Sequence, residues 1–257
     1  MTSLRFAAAA LAAALATGVL ADELVFKDPV GDDKGPGTYT YPTDGVYKAG
    51  SFDLTQLRVK TSGNKADIEV SVNADLEDPW RMGVGFAVQM VFVFVDTKEG
   101  GHTEGLPGLN IQFAPDSAWE KVIILSPQSA ARVRNEVAQK AGALKDDVIV
   151  PARTRGAGRT ISATVDLAAI GQGDPAKWGW QVVMQSNEGF PAGTDLLTRK
   201  VNEYEGQHRF GGGTDTDCDP HVMDILGDQE AQKQQLAYEC NADGTAKKKA
   251  TLKMVRK

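Results

Sequence analysis

Alternation of apolar and polar residues with a period of two most constrains the fold of this chain. In residues 67–72, Ile68, Val70 and Val72 alternate with charged or hydroxylated side chains, which is typical of a strand with one buried face. Residues 84–95 form a nearly unbroken run rich in Val and Phe, which predicts a central strand covered on both faces. Further strands are predicted at 52–59, 120–125, 146–150, 159–166 and 179–186, and helices at 128–141 and 228–239. Short strands separated by Gly and Pro turns predict an all-β fold, an antiparallel β-sandwich of immunoglobulin-like or jelly-roll-like type with one or two short surface helices.

The first 21 residues have the pattern of an export signal. Arg5 supplies the positive charge, residues 6–16 form an apolar run too short to span a bilayer, and small side chains precede Asp22. An uncleaved membrane anchor is the alternative. The prediction is therefore an exported protein, periplasmic, cell-surface or extracellular, in which residues 22–257 form a single domain large enough to bury one substantial core.

The charge of the chain argues against general nucleic-acid binding. The formal net charge is −6, and removal of residues 1–21 takes away only Arg5 and makes it −7. The exception is the tail, where residues 247–257 carry six positive charges. We interpret this tail as a solvated terminal strand, with a basic patch for an anionic surface as the alternative.

The two cysteines, Cys218 and Cys240, predict a disulfide. They are the only cysteines in the chain and lie 22 positions apart in what the export signal predicts to be an oxidising compartment. Two free buried thiols are the alternative, whereas the low cysteine count excludes a cysteine-based zinc cluster.

Two aspartate-rich stretches, the first beginning at Asp28 and the second at Asp215, predict binding of a hard cation. Carboxylates this closely spaced repel one another unless they are solvated or neutralised by a cation, and Ca²⁺ prefers six to eight oxygen ligands. The alternative is that the aspartates cap turns or remain solvated. The second stretch has EF-hand spacing at its first three aspartates but lacks the loop glycine and the terminal glutamate of that motif. The candidate ligands are Asp28, Asp32, Asp33 and Asp53 around the first stretch, and Asp217, Asp219 and Asp224 in the second.

Ordered motifs along residues 28–226 carry a family resemblance. They include the segment from Asp28 to Asp44, Asp78-Pro-Trp80, Trp178-Gly-Trp180, and Gly211-Gly-Gly213 followed by residues 220–226. The chain resembles the C-terminal domain of glucodextranase, a β-sandwich related to family 9 carbohydrate-binding modules and the DOMON-like fold. The resemblance implies a carbohydrate-binding or cell-surface role. Together with the export signal, it predicts a secreted, non-catalytic carbohydrate-binding protein with an α-glucan-type polysaccharide or cell-surface glycan as its partner.

Aromatic side chains are the expected sugar-binding residues, because their faces stack on pyranose rings. The candidates are Trp80, which follows a proline in a loop, Trp119, and Tyr39, Tyr41 and Tyr47 near the first acidic stretch. Trp178 and Trp180 share one strand face, which the apolar residues that follow make a core face.

Catalysis has little support in the sequence. The chain has no nucleophile elbow, no His-Glu-x-x-His motif and no phosphate-binding glycine loop, and its three histidines are dispersed. We therefore expect a protein that is not an enzyme. The alternative function is an envelope or cell-surface interaction or scaffold protein without sugar binding. A more remote alternative is a haem b-binding electron-transfer subunit that uses Met82 or Met90.

Overall fold

The chain folds into two five-stranded sheets that face each other. The computed structural model describes residues 23–191 and 193–257, so the predicted export signal lies outside the described residues. The strands are β1 (Glu23–Lys27), β2 (Leu54–Ser62), β3 (Lys65–Val72), β4 (Gln89–Asp96), β5 (Ile111–Phe113), β6 (Lys121–Leu125), β7 (Val148–Ile149), β8 (Arg155–Ala157), β9 (Thr160–Asp166), β10 (Gly179–Ser186), β11 (Asp224–Ile225), β12 (Glu239–Cys240), β13 (Ala246–Lys248) and β14 (Ala250–Leu252). The helices are α1 (Ala130–Lys140), α2 (Leu167–Ile170) and α3 (Gln229–Gln235), and single 3₁₀ turns occur at Pro115–Ser117, Gly142–Leu144 and Pro175–Lys177.

The sheet topology confirms the predicted all-β class. The first sheet has the order β1-β2-β3-β9-β8 and the second has the order β11-β10-β4-β6-β7. Neighbouring strands are antiparallel except for the β6–β7 pair, and a small separate pair, β5–β14, is also parallel. None of the helices in the described part of the chain is long and apolar enough to cross a membrane.

The core between the two sheets comes from the period-two alternation. The buried positions of β3, among them Ile68 and Val70, face Val91 and Val93 of β4 across the sandwich. Polar residues of β3 alternate with them and are partly exposed. Burial of these apolar faces stabilises the fold by about 25 cal/mol per Å² of area removed from water.

A second core covers the opposite face of the second sheet. Phe92 and Phe94 of β4 pack there with residues of β5, β14 and helix α1. All eight residues of β4 are therefore buried, as predicted for a central strand. The strand begins at Gln89 and not at residue 84, because Gly83 and Gly85 adopt positive φ angles of 81° and 86° that end regular strand geometry.

Both predicted helices form, in shortened versions. Helix α1 begins after Ser129, whose hydroxyl accepts a hydrogen bond from the backbone N–H of Arg132 at 3.3 Å. Helix α3 ends at Gln235, a few residues before strand β12, rather than at residue 239. The predicted disulfide is present, because Cys218 and Cys240 are bonded, and it joins the second acidic stretch to the β12–β13 hairpin.

Candidate metal centre and ligand-binding surface

Four aspartates from separate parts of the chain converge where edge strands of the two sheets meet. Asp28 follows β1, Asp32 lies in the next loop, Asp53 precedes β2, and Asp224 begins β11. One carboxylate oxygen from each of Asp28, Asp32 and Asp224 lies within 4.8 Å of the others. Asp53 is near enough for its charge to act on this trio. We call these four residues the carboxylate cluster.

Backbone N–H groups hold three of these carboxylates in place. Asp28 Oδ1 accepts a hydrogen bond from Gly227 N at 2.7 Å, and Asp224 Oδ2 accepts one from Leu54 N at 2.7 Å. Both oxygens of Asp53 accept from Gly31 N at 3.0 Å. These bonds tie the first loop, the start of β2 and strand β11 together, so they fix the side-chain orientations before any ligand binds.

Three oxygens of the cluster have no hydrogen-bond partner among the described residues. They are Asp28 Oδ2 and both carboxylate oxygens of Asp32. The two side chains are only 9% and 5% exposed. No ion pair with Lys, Arg or His involves the cluster within residues 23–191 and 193–257. Buried, unpartnered carboxylate oxygens are costly unless a proton or a cation neutralises them.

Burial and mutual repulsion raise the pKa values of the whole cluster. Burial is the largest cause and raises the pKa of Asp28 to about 8, with added repulsion from Asp32 and Asp53. Burial likewise raises the pKa of Asp32 to about 6, and that of Asp224 well above its ordinary value. The pKa of Asp53 is raised by burial despite its hydrogen bonds to Gly31 and Asn73. The cluster therefore holds protons more tightly than isolated carboxyl groups do.

The remaining candidate ligands have other partners. Asp33 accepts a hydrogen bond from the hydroxyl of Tyr41. Asp217 forms an ion pair with Lys200 at 2.5 Å, and Asp219 accepts a hydrogen bond from the hydroxyl of Thr214 at 2.7 Å. Within the described residues, only Asp28, Asp32 and Asp224 bring three ligand atoms together. The second acidic stretch thus contributes Asp224 to the cluster of the first, a convergence that was not expected.

The structure corrects the expected aromatic rim. Trp119 is fully buried, and its indole N–H donates to Glu104 O at 2.9 Å. Tyr39 and Tyr47 are buried at 2% and 5% exposure. Tyr41 is half-buried, with its hydroxyl turned inward to accept from Phe52 N at 3.0 Å. Trp119 packs in the core behind the second sheet, whereas the three tyrosines pack with Phe52 and Phe210 in a third, aromatic core. These rings therefore fill cores instead of forming an exposed rim.

Trp80 remains partly exposed on the same aromatic core. Its ring meets that of Tyr47 edge-on, with centroids 6.2 Å apart. Trp178 and Trp180 are buried, as predicted from their shared strand face. Met90 is also fully buried, in the core behind the second sheet, and contacts apolar neighbours there.

The histidines have three different environments. His102 contacts Asp147 at 2.8 Å, and His208 lies at the surface. His221 is buried, which lowers its pKa to about 4 and keeps its ring neutral at pH 7.

Sequence reasoning missed an exposed aromatic residue beside a polar groove. Phe190 is 92% exposed, in the loop that follows β10. It lines a groove of about 280 Å³ with Glu188, Arg199 and His208 among its neighbours. The available signal was an aromatic residue between Gly189 and Pro191, a turn context that leaves a large side chain outside the sheets.

A family model matches residues 24–255, nearly the whole described chain. The family is described as the C-terminal binding module, SLH-like, of glucodextranase. No curated protein matches the chain. The match spans both sheets, the carboxylate cluster and the Phe190 loop. The chain therefore belongs to the glucodextranase C-terminal binding-module family.

Proposed function

We propose that this protein is an exported, non-catalytic carbohydrate-binding module stabilised by one calcium ion in the carboxylate cluster. The binding role is supported by membership of a binding-module family across residues 24–255. The disulfide between Cys218 and Cys240 is consistent with export. The proposed partner is a polysaccharide of the α-glucan type.

The convergence of three carboxylates, two of which have unpartnered oxygens among the described residues, carries the calcium proposal. Asp28 Oδ2 and both Asp32 oxygens are buried and have no partner in the part of the chain that the structure describes, and Asp224 completes a trio within 4.8 Å. An all-oxygen cage made largely by protein groups suits Ca²⁺ better than Mg²⁺, which is smaller and retains several waters. The ion would tie the loop after β1 to strand β11 and hence link the two sheets at their edges.

Raised carboxylate pKa values also occur in glycosidases, but the geometry favours a cation. Glycosidases hold two carboxyl groups about 5 to 9.5 Å apart on either side of the scissile bond. Here three carboxylates point at one place, and of these only Asp32 lines the small cavity next to them. Asp28 and Asp224 are enclosed and cannot flank a sugar chain.

A polysaccharide pull-down of residues 22–257 tests the glycan proposal. We expect retention on dextran or insoluble starch in 1 mM Ca²⁺ and loss of retention in chelator, because the metal-free cluster destabilises the fold. Microcrystalline cellulose serves as the matched insoluble control. Absence of retention on any polysaccharide would refute carbohydrate binding.

A second candidate is a cell-surface interaction without sugar binding, which the SLH-like description of the family favours. This function predicts no retention on purified polysaccharide but retention on isolated cell envelopes. The same pull-down, with envelopes added as one further solid phase, separates the two candidates.

Calcium binding has its own test, which does not depend on the glycan. Equilibrium dialysis should give one calcium ion per chain. A stoichiometry near zero at pH 8 would refute the metal proposal while leaving the glycan proposal open.

A further inference from the structure

The Phe190 groove combines an exposed aromatic face with buried polar groups that lack partners. We define it by Glu188, Phe190, Asp195, Arg199, Asn202 and His208, which line a depression of about 280 Å³. This volume lies just below the range of about 300 to 1,000 Å³ that is usual for ligand sites. It fits a short stretch of a chain-like ligand lying across the surface.

Phe190 supplies a stacking face. Its side chain is 92% exposed, so nearly the whole ring is in contact with water. Its backbone N–H donates to Glu188 Oε1 at 2.9 Å, and the Arg132 guanidinium lies 5.9 Å from the ring centroid. These contacts anchor the loop while leaving apolar surface uncovered, a combination that marks a binding surface.

Charged groups at the groove are paired in a way that suits sugar hydroxyls. Arg199 Nη1 and Glu188 Oε2 are 2.8 Å apart, and the same guanidinium nitrogen donates to His208 O at 2.7 Å. A carboxylate accepts from one hydroxyl while a neighbouring guanidinium donates to the next, so such a pair can bind two adjacent hydroxyls. The Glu188–Arg199 contact leaves little net charge at that point of the groove, which Lys200, paired with Asp217 at 2.5 Å, and Arg209 also line.

Two polar atoms of the groove remain unsatisfied. Arg199 Nε and Asp195 Oδ2 are buried and have no hydrogen-bond partner within residues 23–191 and 193–257. The Asp195 side chain is 8% exposed. Buried donors and acceptors normally find partners in the protein, in water or in a ligand. Because both atoms are buried, an ordered water that bridges to a ligand hydroxyl would satisfy them.

An aromatic support lies beneath the groove. The Tyr47 ring is 6.0 Å from the ring of His208 and 6.2 Å from that of Trp80. The partly exposed Trp80 is therefore joined to the groove through packed rings. This packing keeps the groove wall formed by His208 in position.

We infer that the Phe190 groove binds a neutral hexose unit of a glycan, with Phe190 stacked on the ring and the Glu188–Arg199 pair bound to adjacent hydroxyls. This inference rests on the proposed carbohydrate function and adds the location of the site and the class of sugar.

Affinity electrophoresis in gels that contain dextran or soluble starch tests the inference. Phe190→Ala should weaken the retardation of the protein by about three- to tenfold in apparent affinity, the range expected for loss of one aromatic contact. Tyr204→Ala is the matched control, because Tyr204 is also an exposed aromatic residue, at 65%, and does not line the groove. Arg199→Lys, which keeps the charge but not the forked geometry, should also weaken retardation.

The outcomes separate this inference from the function on which it rests. Retardation of the wild type that Phe190→Ala leaves unchanged would overturn the location while leaving carbohydrate binding intact. An equal loss in Phe190→Ala and Tyr204→Ala would also overturn it. No retardation of the wild type on either glucan would refute the α-glucan function and the inference together. Because Phe190 is almost fully exposed, its replacement should leave the unfolding temperature unchanged, and this measurement excludes misfolding as the cause.

Discussion

Replacing Asp32 by Asn is expected to stabilise the calcium-free protein and to abolish its response to calcium. Asp32 is 5% exposed, and both its carboxylate oxygens lack partners in the described part of the chain. Burial, with the charges of Asp53 and Asp33, raises its pKa from 3.8 to about 6. Because the folded state binds more protons than the unfolded chain between these values, the stability of the calcium-free protein falls as the pH rises through this window.

The magnitude follows from the two pKa values. At 1.36 kcal/mol per pH unit, the difference between 3.8 and about 6 corresponds to at most about 3 kcal/mol of destabilisation above pH 7. The neutral Asn removes this cost, which should raise the melting temperature by up to about 6 to 12 °C in chelator at pH 8. At about pH 3, below both pKa values, the variant and the wild type should unfold at the same temperature.

Differential scanning calorimetry in chelator and in calcium measures both effects. The wild type should gain about 2.7 kcal/mol at a calcium concentration one hundred times the dissociation constant, whereas Asp32→Asn should gain almost nothing. Asp217→Asn is the matched control, because Asp217 is paired with Lys200 and should leave the calcium response intact. A less stable Asp32→Asn protein in chelator, or one that still responds to calcium, would refute the reasoning.

Three further predictions concern the cluster, the disulfide and one turn. Calcium affinity should rise from pH 5 to pH 8, because calcium displaces protons from carboxyl groups of the cluster whose pKa values are raised. Calorimetry in buffers of different ionisation enthalpy should detect protons released on binding near pH 7, and a pH-independent affinity would contradict this prediction. A double replacement of Cys218 and Cys240 by Ser should cost about 3 kcal/mol in urea unfolding, as expected for a link across 22 positions, and a change below 1 kcal/mol would contradict it. Gly85→Ala should lower the free energy of unfolding by roughly 2 to 5 kcal/mol, because φ is +86° and a Cβ would lie 2.3 Å from Gly156 O. Gly45→Ala is the control: a Cβ there would meet open space, so the same urea assay should show almost no change.

The fold was largely predictable because burial follows a local pattern. Residues 67–72 alternate in sequence and alternate in exposure in β3, and the continuous apolar run produced the fully buried strand β4. The start of that strand was not predictable from hydrophobicity. It depends on positive φ angles at Gly83 and Gly85 and on the close approach of Gly156, which is distant in sequence.

The candidate site was predictable only in part, because it depends on long-range pairing. The cluster residues of the first acidic stretch and Asp53 were both candidates, but Asp224 reaches them only because β11 pairs at the edge of the second sheet. Residue spacing in the second stretch suggested a separate cation site. In the structure, Asp217 instead forms an ion pair with Lys200, and Asp219 accepts a hydrogen bond from Thr214. The tyrosines were assigned to a surface rim because their amphipathic rings suit either environment, and only packing decides between the two.

The measurement that tests the account most directly is titration of the calcium-loaded protein with an isomalto-oligosaccharide in a calorimeter, followed by chromatography of the sugar. The account predicts saturable binding that chelator abolishes, with the sugar recovered at its original length. No heat of binding with any α-glucan oligosaccharide, or recovery of shortened products, would contradict it.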